Sequence, residues 1–553
     1  MSNKILISLL AISATALLNG CIEETFPEGS TVTSSQVAES PTALEAMLKS
    51  IPAAMVTTNT AGYLEGYDHH GDFGIGEIHL ITENMLEDFV TLSENPYYNR
   101  NYAWASCKNQ GADYWPCSYF WDTYYAWIKT CNDIISSILS GGEPTESTAV
   151  ILGKAYAYRA NFYLDLARLY DFKPNRYTTA PGGVEGLTVP IIDEKTDTEK
   201  AANNPRADRE TIYNFILSDL ESAATYLADA PSTVDEPSIN LVNGLFARTY
   251  LEMGANGVDG AYEKAAEYAE RVLGAGYVAL TQEQWEDPAN GFNNRLSQNS
   301  WIWGLTISPE NFNNICTYGA FICNEGQWGY APLVQLGASK SFYEAISNKD
   351  FRKHSWLDPA GFDFYNYKLA GTAADQNGFI NGNSNVPASA EYESIKFRPG
   401  SGNCSDYTIG NVVDVPMMRV EEMYFIKAEA LAQSGKLSDA ATVLNNFMKL
   451  RILDGTYAFS ANSKEDFLEE LLFQKRVEFW GEGILLFDYK RLDHGITRGY
   501  AGTNWPSDWC FNSEGRSPQW NIVITRAETQ TNNGIPPELN NPDPSNFAPL
   551  WTE

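Results

Sequence analysis

Three of the five histidines fall in one short stretch, "DHHGDFGIGEIH" (68–79). His69, His70, Asp72 and His79 are residue types that ligate transition metals, but their spacing fits no standard site. A surface loop that touches a ligand or partner is the better reading. "GDFGIG" (71–76) has close glycines without a following helix of phosphate-loop logic, so it reads as a turn. The patterns H-E-x-x-H, G-x-x-x-x-G-K-[ST] and G-x-S-x-G do not occur. Carboxylates are abundant, but none stands at a spacing that marks a glycosidase pair, which separation in space would define. The sequence therefore predicts no catalytic residue, no metal site and no cofactor.

Binding chemistry is better represented. A sugar presents flat C–H faces and fixed hydroxyls, which call for exposed aromatic plates beside Asn, Asp, Gln or Arg. The chain holds 14 Trp, 31 Tyr and 26 Phe, and many of them crowd into two Asn-rich loops. In "ENPYYNRNYAWASCKNQGADYWPCSYF" (94–120) the candidates are Tyr97, Arg100, Trp104, Asn109, Asp113, Tyr114 and Trp115. In "NFNNICTYGAFICNEGQWGY" (311–330) they are Phe312, Tyr318, Asn324, Trp328 and Tyr330. Cys107–Cys117 and Cys316–Cys323 bonds would each close a short loop, and the first would stiffen the aromatic segment. Trp121 and Trp127, on a helix, are expected in the core, with at least one of Trp301 and Trp303.

A further reactive group is Cys21, which follows Lys4 and the apolar run Ile5–Leu18. That run has signal-peptide length, and "LNGC" (18–21) is similar to the lipobox in which the cysteine is lipidated. Several acyl chains on Cys21 would anchor the protein stably. Later apolar runs are too short to span a bilayer. The balance of 38 basic to 70 acidic residues, net −32, argues against nucleic acid and against electrostatic binding to anionic lipid.

Helices must position these loops. The 3.6-residue period is strong in 149–172 and in 208–229, where Asp208 is the expected N-cap. Residues 243–273 and 419–451 each read as a helical pair; the second follows the small and large alternation of a tetratricopeptide-like repeat at Ala428, Leu431, Gly435, Ala440, Leu444 and Phe447, and the first fits it only with a loop insertion, at Ala247, Tyr250, Ala265 and Ala269. "NSWIWGLTISP" (299–309) reads as a strand. The expected fold is mainly α, a tetratricopeptide-like helical-repeat scaffold with large irregular loop insertions and a few short strands. The expected organisation is a signal peptide (1–20), a lipid-anchored tether (21–40) and one domain (41–553), with ligand-binding insertions around 92–120 and 276–340.

Four stretches resemble the SusD/RagB family of nutrient-binding outer-membrane lipoproteins. They are the lipobox; "FWDTYYAWIKTCNDII" (120–135); "AYRANFYLDLARLYD" (157–171); and "MRVEEMYFIKAEALAQSGKLSDA" (418–440) with "QKRVEFWGEGILLFDYKRL" (474–492). In the last pair Arg419, Glu422, Tyr424, Ala428, Glu429 and Ala430 match in order, as do Arg476, Glu478, Phe479, Glu482, Gly483, Phe487, Asp488 and Arg491. Asp171, Ile484 and Leu485 depart from the family pattern. The resemblance implies a non-enzymatic surface lipoprotein that captures a glycan and delivers it to a SusC-like TonB-dependent transporter. It also implies that Glu23 and Glu24, just after Cys21, direct export to the outer leaflet, so that the membrane is met only through the lipid. Peptide capture is the alternative ligand class; a surface glycoside hydrolase and an assembly scaffold are alternatives of other classes.

Overall fold

The computed structural model describes residues 40–57, 71–92, 107–287, 289, 291–293, 299–308, 315–357, 391–545 and 547. Cys21 and the expected signal peptide lie outside the described residues, as do Glu23, Glu24, His69, His70, Tyr97, Arg100, Trp104 and Phe312.

Eleven helices of eight residues or more form the described frame: α1 Pro41–Val56, α2 Ile75–Asn84, α3 Trp115–Ser140, α4 Glu146–Tyr170, α5 Arg209–Leu227, α6 Ile239–Ala255, α7 Ala261–Leu273, α8 Val420–Gln433, α9 Leu437–Met448, α10 Lys464–Phe479 and α11 Leu485–Leu492. Their starts are written locally. Asp208 caps α5 by accepting from Thr211 N, Thr145 and Thr148 form a capping box on α4, and Ser463 caps α10. The turns inside both predicted pairs use left-handed glycines, Gly257 and Gly260 between α6 and α7 and Gly435 between α8 and α9.

The helices stack in order. From α3 to α9 each helix packs on the next, and α8 packs in turn on α10. This is the repeat architecture expected from the small-residue pattern. Gly254 shows why the pattern is needed: a Cβ there would stand 2.7 Å from the Tyr262 ring, so only glycine lets α6 and α7 come this close. Ala265 and Ala269 on α7 and Ala428 and Ala440 on α8 and α9 are fully or almost fully buried.

Short antiparallel strands sew the insertions to this stack. β1 (Phe89–Thr91) pairs with β3 (Leu336–Ala338), and β2 (Trp301–Leu305) pairs with β4 (Val415–Arg419), whose last residue is the N-cap of α8. Trp127 is core as expected; Trp121 and both Trp301 and Trp303 are buried too.

Three of the family-like residues, Arg419, Glu478 and Glu482, take part in a buried ionic network. Arg419 pairs with Glu421 at 3.0 Å, Glu478 at 3.2 Å and Glu482 at 2.9 Å. Arg451 pairs with Glu478 at 2.8 Å and Arg352 with Glu478 at 3.0 Å. Lys396 donates to Glu482 at 2.8 Å and to the Glu478 and Trp480 carbonyls. With the Arg352–Asp350 pair added, four cations face four carboxylates, and charge closes inside the protein. Arg248–Glu422, Arg491–Glu429 and Arg476–Asp88 are further buried pairs. Paired in this way, the charges hold helices together.

"GDFGIG" (71–76) differs from expectation in one respect: a helix, α2, does follow it. Every residue of α2 is buried, so it has no open N-terminus for an anion. Gly74 enters it at φ 71°, where a Cβ would strike the Met55 carbonyl at 2.1 Å.

Candidate functional site

The first aromatic loop reaches the structure at Cys107 and runs into α3. Cys107 and Asn109 both adopt left-handed backbone, φ 57° and 55°, a conformation Asn tolerates and Cys rarely takes. Such a loop needs outside support, and the segment 541–547 supplies it. The Cys107 thiol meets the Pro544 carbonyl at 3.5 Å, and Gln110 N donates to Ser545 Oγ at 3.0 Å. Gln110 Nε2 donates to Gln519 Oε1 at 3.3 Å. Asp113 forms an exposed bidentate pair with Arg526, whose backbone N–H donates to the Ala112 carbonyl at 2.9 Å. The hydrogen bonds from Arg526, then its charge, hold the Asp113 carboxyl below its ordinary range.

The expected disulfides are corrected here. Cys117 and Cys323 are free thiols, so neither expected bond forms. Cys117 Sγ donates instead to the Gln110 carbonyl at 3.1 Å, and burial pushes its thiol up. The loop is stiffened by hydrogen bonds to 541–547 and not by a bond to its own neighbour.

What this support displays is aromatic. Tyr114 is 45% exposed and Phe547 is 47% exposed; the segments carrying them are the two that are tied together. Trp115 is half-buried and stacks on Tyr119 with centroids 4.9 Å apart. Asn109 and Asp113 stand exposed on the same loop. Phe547 was not among the sequence candidates. A lone Phe between Asn and Ala carries no local signal, and only its contact segment reveals it.

The second loop behaves otherwise. Tyr318, Asn324, Trp328 and Tyr330 were expected to face ligand, and all four are buried. Tyr318 donates to the Gly481 carbonyl at 2.8 Å. Asn324 donates to the carbonyls of Leu336 at 2.8 Å and Ser394 at 2.7 Å, joining β3 to its neighbour. Tyr330 stacks on Phe321, and Trp328 lies over Gly326 and Gly410. These residues brace the core, because backbone carbonyls and rings have taken the contacts a ligand would need.

The two loops are nonetheless mechanically joined. Trp115 stacks on Tyr119, and Tyr119 Oη exchanges hydrogen bonds with Gly74 at 3.0 and 3.1 Å. The adjacent Phe73 stacks on Phe321 at 4.7 Å, and Phe321 on Tyr330 at 4.5 Å. The turn at 71–76 is thus a rigid link between them. His79, weighed as a metal ligand, is buried under Gly483, and burial lowers its pKa to about 3. No group of three or more His, Cys, Asp and Glu that could hold a metal ion occurs among the described residues. Nor, among those residues, is any helix long and apolar enough to cross a membrane.

Comparison with known proteins adds two family matches. Residues 335–543 match the model described as "SusD family", and residues 72–251 match one described as "Starch-binding associating with outer membrane". A curated relative, "SusD-like protein P38" of Formosa agariphila, is 24% identical over 406 residues, 68% of this chain and 72% of that protein. In fold the chain is similar to a SusD-like carbohydrate binding protein of Bacteroides vulgatus, with TM-score 0.68, 20% identity, and 90% and 98% of the two chains covered. It is also similar to surface glycan-binding protein A of Bacteroides thetaiotaomicron, solved in complex with laminarihexaose, with TM-score 0.62, 16% identity, and coverage of 90% and 98%.

Proposed function

The chain belongs to the SusD family, and from that premise we propose that it is a glycan-binding surface lipoprotein without catalytic activity of its own. It captures an oligo- or polysaccharide on the rim formed by Asn109, Asp113, Tyr114, Trp115, Arg526 and Phe547. Lipidated at Cys21 and held on the outer membrane, it passes the glycan to a SusC-like TonB-dependent transporter. The observation that carries this reading is the pair of exposed aromatics, Tyr114 and Phe547, on two segments locked to each other. A pre-ordered aromatic surface costs little entropy on binding. The Asp113–Arg526 pair beside it offers acceptors and donors for hydroxyls. The relatives' names support the ligand class: one is called a carbohydrate binding protein and another was solved with a glucan hexamer.

Each stacked ring contributes about 0.5–1.5 kcal/mol. Removing one should therefore weaken binding by roughly two- to twelvefold. The test uses the protein lacking residues 1–21, screened by affinity electrophoresis and calorimetry against laminarin, starch, mannan, xylan, polygalacturonate, alginate and peptide pools. Tyr114→Ala and Phe547→Ala run beside it. A polysaccharide that binds, and binds roughly two- to twelvefold more weakly to both variants, is the expected result. Polysaccharide binding unchanged in both variants would refute the rim, and binding to peptides alone would overturn the glycan.

A further inference from the structure

Along α3, beyond the rim, lies a groove enclosing about 1050 Å³. One wall is a face of α3 that includes Asp122, Ala126, Lys129, Asp133 and Ser136, spaced by three or four residues, with Tyr125 beside Ala126. The facing wall is the segment 190–202, and the helical turn Arg526–Thr531 closes the near end with Glu528.

The near end of this groove adjoins the rim through shared elements. Trp115, Ser118 and Asp122 lie on successive turns of α3. Ser118 Oγ is 2.9 Å from Thr525 Oγ1, and the next residue, Arg526, holds Asp113 of the rim. Two residues further on, Glu528 lines the groove. A chain lying on Tyr114 and Trp115 thus meets the mouth of the groove about two helical turns on.

The groove walls hold six carboxylates and one lysine. Asp133 pairs with Lys129 and Glu194 with Arg159. Asp122, Asp193, Asp197 and Glu528 make no ion pair among the described residues. Burial, then the charge of Glu528, raises the Asp122 pKa to about 6, so this end already resists negative charge. Carboxylates are bidentate acceptors for sugar hydroxyls, and they repel uronates and sulfates.

We propose that this groove is an extension subsite of the rim, taking the continuing units of a long, uncharged glycan and rejecting anionic ones. The inference rests on the glycan reading above, and the two are separable by experiment. The strongest neutral binder from the screen is cut into size-fractionated oligosaccharides and titrated against the wild type, Ala126→Trp and Ser136→Trp; both positions line the groove and neither is fully buried. Asp122→Asn with Glu528→Gln is titrated with polygalacturonate fragments.

Affinity for neutral chains should rise about tenfold or more from short to long fragments in the wild type. The tryptophan variants should lose that gain and keep the short-fragment affinity, which Tyr114→Ala and Phe547→Ala should lower. The carboxylate variant should gain binding to the anionic fragments. A wild type with no length dependence, a gain that survives both tryptophans, or anionic chains that show the same gain as neutral ones would overturn the groove while leaving the rim intact. Failure of every neutral polysaccharide to bind would overturn both.

Discussion

Arg419 sits with no exposure among Glu421, Glu478 and Glu482. Its worth is mainly the cost of its absence. Three carboxylates drawn from water would lose a shared counter-charge, and breaking a buried pair costs about 3–5 kcal/mol. Arg419→Met should therefore lower the melting temperature by many degrees, read by calorimetry or circular dichroism, with glycan affinity unchanged in whatever fraction folds. Arg419, Glu478 and Glu482 were legible beforehand only as residues that resemble the family pattern; their pairing with one another was not. Nor was orientation. Asn324 and Asn109 are the same residue type in loops of similar composition, yet Asn324 bonds two strand carbonyls and Asn109 stands in solvent. Tyr114 and Tyr318 differ in the same way. Composition reports that a loop is rich in rings and amides; whether a ring finds a core partner depends on residues far along the chain.

At the level of elements, the helical stack depends on close approaches that tolerate no extra atom. A methyl at Gly254 would meet three atoms of the Tyr262 ring within 2.8 Å. Overpacking of this kind costs about 1–3 kcal/mol. Gly254→Ala should destabilise the fold by that order, measured as a shift in the denaturant midpoint, and Tyr262→Ala in the same chain should recover part of the loss. These helices were readable because their signals are local: period, cap and glycine turn lie within one segment, as at Asp208, Gly260 and Gly435. The support of the first loop was not, since Cys107 meets Pro544 across 437 residues and leaves no periodicity to detect. The expected disulfides failed for the same reason. Short sequence spacing made Cys107 and Cys117 look like partners, while distant carbonyl and hydroxyl groups occupied the loop instead.

For the molecule as a whole, two buried carboxylates oppose each other in their response to pH. Glu478 is favoured by burial to stay neutral, but Arg451, Arg419 and Arg352 outweigh that and depress its pKa. Its contribution is present above the ordinary carboxylate range and is lost as pH falls below it. Glu83 is the reverse: burial raises its pKa to about 8 against weaker opposing help from the Gly483 and Gly481 amides. The native state holds a proton there that the unfolded chain releases from about 4.5 upward. Its contribution is complete below that value and is lost as pH rises through about 8. Stability should peak in mildly acidic solution. Glu83→Gln, unfolded thermally at pH 5 and pH 9, should gain relative to the wild type at the alkaline value; an equal difference at both would show that Glu83 titrates normally.

The tie between residues 107–115 and 541–547 has a consequence for how the protein comes into being. Residues 107 and 544 are 437 positions apart, so the left-handed loop takes up this support only when the two ends of the chain have come together. The rim is therefore complete only once the C-terminal segment has docked. A chain cut short or nicked before residue 541 would keep its scaffold and lose its grip. Retained ligand binding is thus a stricter proof of complete synthesis than folding is.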